Sequence, residues 1–323
     1  MTREYRPEIW LAGGLALSFV ASLMIGPAGF GFPGGTQAAW LIFSEIRLPR
    51  AILGALIGAA LGLCGAALQG YLRNPLAEPG LLGVTGGASL GAVIAIHSGA
   101  SAAFALALPI GGLIGAATAT LAVMLLAGSR SGPVTLILAG VAISSLAGAL
   151  TTLALNLSPN PFAAVEMVFW MLGSLNDRSL VHVWISAPLI VAGGAMLLTL
   201  RRDLDALSLG DDVAANLGLN LKLLRLKLVT GTALAIGAAT AVAGGIGFVG
   251  LVVPHLLRRY AAHEPGRLLV MSALGGACLV LVADIVLRML SPIGDLKLGV
   301  LTALIGAPFF LWLVVKTRQE IGP

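Results

Sequence analysis

The chain has 323 residues, 58% of them hydrophobic and 10% charged, against roughly 25% charged residues in a soluble domain; with a mean hydropathy of +0.99, this excludes a soluble globular protein. A net charge of +5 would suit a nucleic-acid binder, but the basic residues stand singly between apolar runs instead of sharing one face, which excludes that class too. Cys64 and Cys278 each lie alone in an apolar run and read as small core residues, not as a disulfide or a metal site.

A bilayer core of roughly 30 Å takes about 20 apolar residues per helix, and fewer where protein surrounds the segment. That ruler predicts ten spans, at about 9–25, 51–72, 81–96, 103–126, 134–157, 183–200, 226–243, 247–257, 268–290 and 298–315. The arginines at the N-terminus are followed by no convincing cleavage site, so the first span reads as a retained helix. The third and eighth spans are short and glycine-flanked, which suits burial inside the bundle. Many of the 43 glycines lie within apolar runs, where small residues let membrane helices approach closely. The predicted fold is therefore all-α and polytopic, one membrane domain over residues 1–323.

With the N-terminus inside, the inner segments carry Arg3, Arg6, Arg73, Arg130, Arg201, Arg202, Lys222, Arg225, Lys227, Arg258, Arg259, Arg267, Lys316 and Arg318, which is 14 of the 19 basic residues. The outer segments carry Arg47, Arg50, Arg178, Arg288 and Lys297. This bias predicts that both termini are cytoplasmic.

Two connections exceed turn length. The outer one, 158–182, opens on Pro159 and Pro161 and contains the apolar run MVFWML, which suits a short helix at the periplasmic interface. The inner one, 201–222, is the most polar stretch of the chain. Within it Asp211 and Asp212 precede Val213, Ala214 and Leu217, and Gly218 follows. Acids at a helix start and glycine just past its end predict a short amphipathic helix, and its apolar side asks for a partner protein to pack on; a solvated loop is the alternative.

The chemistry-bearing residues exclude more than they assign. None of the four lysines is preceded by glycine, so the chain lacks a phosphate-binding loop of the GxxxxGK[ST] form and any ATP must be hydrolysed by another subunit. His97, His182, His255 and His263 are scattered without a metal-ligand spacing, which argues against a metalloenzyme. A gradient-driven transporter keeps ionisable groups near the bilayer midplane, yet the one acid well inside a span is Asp284, with Arg288 one turn further along. In the fifth span Ser145, Gly148, Thr152 and Asn156 recur at helical spacing, with Ser144 and Thr151 beside them. This stripe either lines a pathway or hydrogen-bonds helices together.

The run RLPRAILGALIGAALGLCGAALQGYLRNPLAEPGLLGVTGGASLGA, residues 47–92, strongly resembles the FecCD-type permeases of importers for cobalamin, haem and ferric siderophores. So do LILAGVAISSL, FWMLGSL, GGIGFVGLVVPHLLRR, ADIVLR and LKLGVLTALIGAPFFLWLV, which follow in family order over nearly the whole chain. The resemblance implies a multi-pass permease of the bacterial inner membrane, not itself an enzyme. It works as two copies, with two cytoplasmic ATPases that use ATP and Mg and with a periplasmic binding protein that delivers the chelate. No cofactor or metal is implied for the chain itself. By the same resemblance Leu209, Gly210, Asp211, Ala214, Leu217 and Gly218 form the ATPase-coupling surface, and Ser144, Ser145, Gly148, Thr151, Thr152 and Asn156 line the translocation pathway. The cytoplasmic gate falls on Ser131, Gly132, Pro133 and Val134, where cobalamin-importing members carry small hydroxylated residues in place of Pro133 and Val134. Arg47, Arg50 and Arg288 match positions that meet acidic residues of the binding protein. A transporter or facilitator working without an ATPase is the alternative function.

Overall fold

The computed structural model describes residues 7–26, 29–31, 37–128, 132–290 and 295–321. Arg3, Arg6, Arg130 and Ser131, which entered the charge count and the expected gate, lie outside the described residues. In chain order the helices are α1 (Pro7–Met24), α2 (Gln37–Ile42), α3 (Leu48–Leu72), α4 (Val84–His97), α5 (Ala100–Ala103), α6 (Ala107–Ala127), α7 (Pro133–Asn156), α8 (Pro161–Met171), α9 (Leu180–Leu198), α10 (Arg201–Leu207), α11 (Asp211–Asn216), α12 (Leu221–Ala243), α13 (Val249–Leu257), α14 (Pro265–Leu290) and α15 (Leu298–Ile321). A two-residue antiparallel pair, β1 (Ile25–Gly26) with β2 (Gly29–Phe30), follows α1.

All ten predicted spans are helices, as α1, α3, α4, α6, α7, α9, α12, α13, α14 and α15. Among the described residues, eight helical runs are long and apolar enough to cross a bilayer alone. The exceptions are α4, of 14 residues, and α13, of 9. A run the sequence reading missed precedes the second span: α2 continues through a π-helical turn, Phe43–Arg47, into α3, so Arg47 and Arg50 lie within a continuous helix instead of at its mouth. The predicted start at 226 also falls late, because Lys222 and Arg225 look like loop residues. The Asn220 side chain instead accepts the Lys222 and Leu223 amides at 3.1 Å and caps α12 from Leu221 onward.

Helix α3 is the centre of the bundle, with α1, α9, α12, α13 and α14 around it. Its most extensive partner is α14. A Cβ at Gly58 or Gly62 would run into the Gly276 and Ser272 carbonyl oxygens of α14, so these two backbones touch as only small residues allow. Toward the outside, α1, α7, α9 and α15 display Leu17, Leu150, Trp184 and Leu311, the apolar surface a lipid bilayer or a second membrane subunit covers.

The two short helices leave backbone groups that water cannot reach, and polar side chains meet that need. The buried Gln69 amide donates to the Ala77, Gly250 and Leu251 carbonyls at 3.3–3.4 Å, and its oxygen accepts from Arg258 at 2.8 Å. Glu78 takes the amide of Phe248, the residue before α13. Burial pushes the Glu78 carboxyl above its ordinary value, an effect the Phe248 hydrogen bond opposes.

The charge bias yields a direct test. In a background with Cys64 and Cys278 replaced by serine, Asp212→Cys and Asn176→Cys should be labelled by an impermeant thiol reagent from opposite sides of the membrane. Labelling from the same side would refute the ten-span orientation.

Candidate functional site

Three groups of residues stand apart from ordinary packing, beginning with the polar stripe of α7. Its spacing carries through into the structure: Ser145, Gly148, Thr152 and Asn156 are all exposed along one face, and nothing lies within 4 Å of where a Gly148 Cβ would be. Two predicted members leave that face. Thr151 is 4% exposed and Ser144 is half-buried, because each is rotated about 100° from its neighbour on the stripe and turns into the bundle. An apolar cleft of about 510 Å³ between α4, α6 and α7 is lined by Ile143, Leu146, Ala147 and Leu150 of α7, so it occupies a different face from the stripe. At the inner start of α7, Gly132 is an extended cap, Pro133 is the first helical residue, and Val134 is exposed.

The second group is the inner connection, which folds as α10 and α11. Gly210, with φ of 110°, precedes α11, and Gly218, with φ of 85°, follows it. The Gly218 amide donates to Ala215 O at 2.9 Å and the Leu219 amide to Ala214 O at 3.0 Å. This double closure needs a left-handed residue at Gly218, as the acid-to-glycine spacing predicted. Leu209, Val213 and Leu217 are exposed at four-residue spacing. Val213 joins the apolar row through that spacing, although it is absent from the predicted coupling set. Ala214 is 0% exposed and belongs to the main core, so it is corrected from a surface residue to an anchor. Asp211 pairs with Arg73, at the end of α3.

The third group corrects the expected display of arginines. Asp284 is 1% exposed. Arg50 grips its carboxylate with two donors, Nε at 2.9 Å and Nη2 at 2.7 Å, while Arg288 lies 3.0 Å away on the other oxygen. Arg288 also donates to Ser22 O and Ile25 O, both at 2.7 Å, and Arg47 donates to Leu23 O at 3.0 Å and Gly31 O at 2.8 Å. Two cations thus hold the carbonyl end of α1, where the helix dipole favours positive charge. The sequence brings the three arginines to one place, but it turns them inward. Arg50, Arg288 and Asp284 line the floor of a recess of about 190 Å³ with Asn176, Asp177 and Asp295; Arg47 is not part of its lining. The Asp284–Arg288 half was visible as an i, i+4 pair, whereas Arg50 is 234 residues from Asp284 and left no local signal.

Among the described residues, no three His, Cys, Asp or Glu side chains gather as metal ligands would.

Comparison with known proteins agrees with this architecture. The FecCD transport family model matches residues 14–316. The chain is 39% identical over 288 residues to the hemin transport system permease protein HmuU of Yersinia pestis, covering 88% of this chain and 86% of that protein. It is 40% identical over 292 residues to the vitamin B12 import system permease protein BtuC of Vibrio cholerae, covering 88% and 84%. A solved structure, an inward-facing conformation of an ABC transporter assigned to the metal-chelate type, superposes with a TM-score of 0.87 at 32% identity, covering 96% of this chain and 99% of that one.

Proposed function

The chain belongs to the FecCD transport family and is the multi-pass inner-membrane permease subunit of an ATP-binding-cassette importer, and from that premise we propose that it moves a metal-centred macrocycle, haem or cobalamin, into the cytoplasm. Two copies enclose the path, two ATPases with ATP and Mg drive it, and a periplasmic binding protein supplies the cargo. The hemin transport of HmuU and the vitamin B12 import of BtuC support the cargo class, and their near-equal identities to this chain make an uptake assay the test between the two macrocycles.

The observation that carries the two-copy path is the unpartnered face of α7. A polar stripe costs free energy in lipid unless it packs on protein or lines a water-filled cavity, and among the described residues nothing lies within 4 Å of where a Gly148 Cβ would be. A second copy placed against α7 would turn Ser145, Gly148, Thr152 and Asn156 into the wall of a neutral channel, with Gly132, Pro133 and Val134 at its inner mouth. On the cytoplasmic side Leu209, Val213 and Leu217 form the surface for the ATPase. On the outer side the recess lined by Arg50, Arg288, Asp284, Asp177 and Asp295 is the surface that meets the binding protein, its charges serving orientation and encounter more than affinity.

Reconstitution tests this reading. In vesicles holding the permease, its ATPase and its binding protein, hemin or cobalamin uptake should require internal ATP and stop with vanadate. Uptake by this chain alone, driven by an ion gradient, would refute it and establish a secondary transporter.

A further inference from the structure

The importer reading leaves open how a movement of the ATPases reaches the outer face, some 40 Å away across the bilayer and its headgroups. Two tethers tie the coupling segment to the bundle. Asp205 on α10 accepts the Gly266 amide through Oδ1 at 2.6 Å, and Arg201 on the same helix donates to the Gly266 carbonyl at 3.1 Å. Gly266 is the second residue of α14, and its amide is one of those a helix start leaves unpaired. The cap of α14 therefore comes from a carboxylate 61 positions earlier, inside the coupling segment. Leu204 and Leu207, on the same helix, are buried in the main core, so α10 sits rigidly on the bundle. The second tether is the pair between Asp211, the first residue of α11, and Arg73, which ends α3 in a left-handed conformation.

The two tethered helices are α14 and α3, the pair whose backbones touch at Gly58 and Gly62. With backbones in contact along this seam, a displacement of one helix is passed directly to the other. Its far end carries Arg50 from α3 and Asp284 and Arg288 from α14, locked to one another and lining the outer recess. With 26 residues at about 1.5 Å each, α14 spans roughly 39 Å. A two-helix lever thus joins the inner coupling segment to the outer recess, with Asp205 at its inner end.

We propose that Asp205 is a positioning residue for energy coupling: it makes α3 and α14 follow the coupling segment, so that the nucleotide state of the ATPases is felt at the recess that receives the binding protein. The inference rests on the importer reading. Its exposed partner, Arg73–Asp211, contributes less, since both side chains are about half exposed to solvent.

The test uses the complete transporter in vesicles, with a fluorophore on Asn176→Cys at the recess. Asp205→Ala should assemble with the ATPase and keep basal ATP hydrolysis within about twofold. Its stimulation by the binding protein and its uptake should fall about tenfold, within the usual span of coupling between sites, and the label should no longer respond to ATP with vanadate. Asp205→Asn keeps a side-chain oxygen for the Gly266 amide and should retain most of the coupling. Wild-type stimulation and label response in Asp205→Ala would overturn the proposal. So would equal losses of basal and stimulated hydrolysis, or failure of Asp205→Ala to assemble while Asp205→Asn does, since either marks a role in folding alone. ATP-independent uptake by the wild-type complex would instead remove the importer reading itself.

Discussion

Asp284→Ala should strongly destabilise the permease. The carboxylate is held by two guanidinium groups, Arg50 with a side chain 14% exposed and Arg288 with one 4% exposed. Removing it takes away the carboxylate that the two guanidinium groups share. Breaking a buried ion pair by deleting one partner costs about 3–5 kcal/mol, mostly because the survivor is stranded, and total stabilities of folded proteins run only to about 5–15 kcal/mol. The variant should therefore unfold many degrees below the parent in detergent, read by intrinsic fluorescence, and leave size exclusion as aggregate. Replacing Arg50, Asp284 and Arg288 together by apolar residues of matching size should restore much of the loss, as buried ion clusters tolerate that exchange. A thermal midpoint for Asp284→Ala equal to the parent's would show that the cluster contributes no net stability.

The same geometry bears on any attempt to probe docking by reversing charge. Arg50→Glu would set a second carboxylate against Asp284, so impaired uptake would mix lost docking with lost folding. Only a variant whose melting is unchanged reports on the recess, and mutations of the rim residues Asp177 or Asp295 meet that condition better than those of the floor.

Much of the fold was legible because a bilayer imposes one length and one polarity on each crossing helix. Ten apolar runs gave ten helices, and even the brevity of α4 and α13 showed in their spacing. The boundaries that failed did so where charge was read as solvent exposure. Lys222 and Arg225 lie in the first turns of α12, where long side chains reach water while their stems stay against the bundle. Arg47, Arg50 and Arg288 lie on the outer side against the positive-inside bias, at positions where the family resemblance implied a display for a partner. What keeps them on the outer side is internal: carbonyls at the end of α1 and the carboxylate of Asp284. Those contacts join segments far apart in the chain, and neither periodicity nor local spacing encodes them. The α7 stripe was legible to within the rotation of one residue, which removed Ser144 and Thr151 from its accessible face. The cap from Asp205 to Gly266 was invisible for the same reason as the Arg50 contact.

Leu217→Asp should abolish ATP-driven uptake while leaving the permease folded. Leu217 is 67% exposed, as Leu209 and Val213 also are exposed in and beside α11, whereas Ala214 is fully buried and holds the helix to the bundle. An exposed apolar row on a short helix, anchored by a buried alanine and by the Asp211–Arg73 pair, presents a firm surface, and centrally placed apolar anchors of an interface lose about 2 kcal/mol or more when removed. Aspartate goes further than truncation, because docking would then bury an unpaired charge; the loss of ATPase affinity should reach at least about thirtyfold. The substitution puts a negative charge at the C-terminal end of α11, where the helix dipole makes it unfavourable by only about 0.3–1 kcal/mol, so the melting temperature of the isolated permease should hardly move. Ala214→Asp supplies the contrast: it forces a charge into the core and should unfold the coupling segment. Pull-down of the ATPase by the permease, with hydrolysis measured in the same eluate, reads the outcome. Undiminished capture and stimulated hydrolysis in Leu217→Asp would move the ATPase surface away from α11, and with it the inner end of the lever that Asp205 grips.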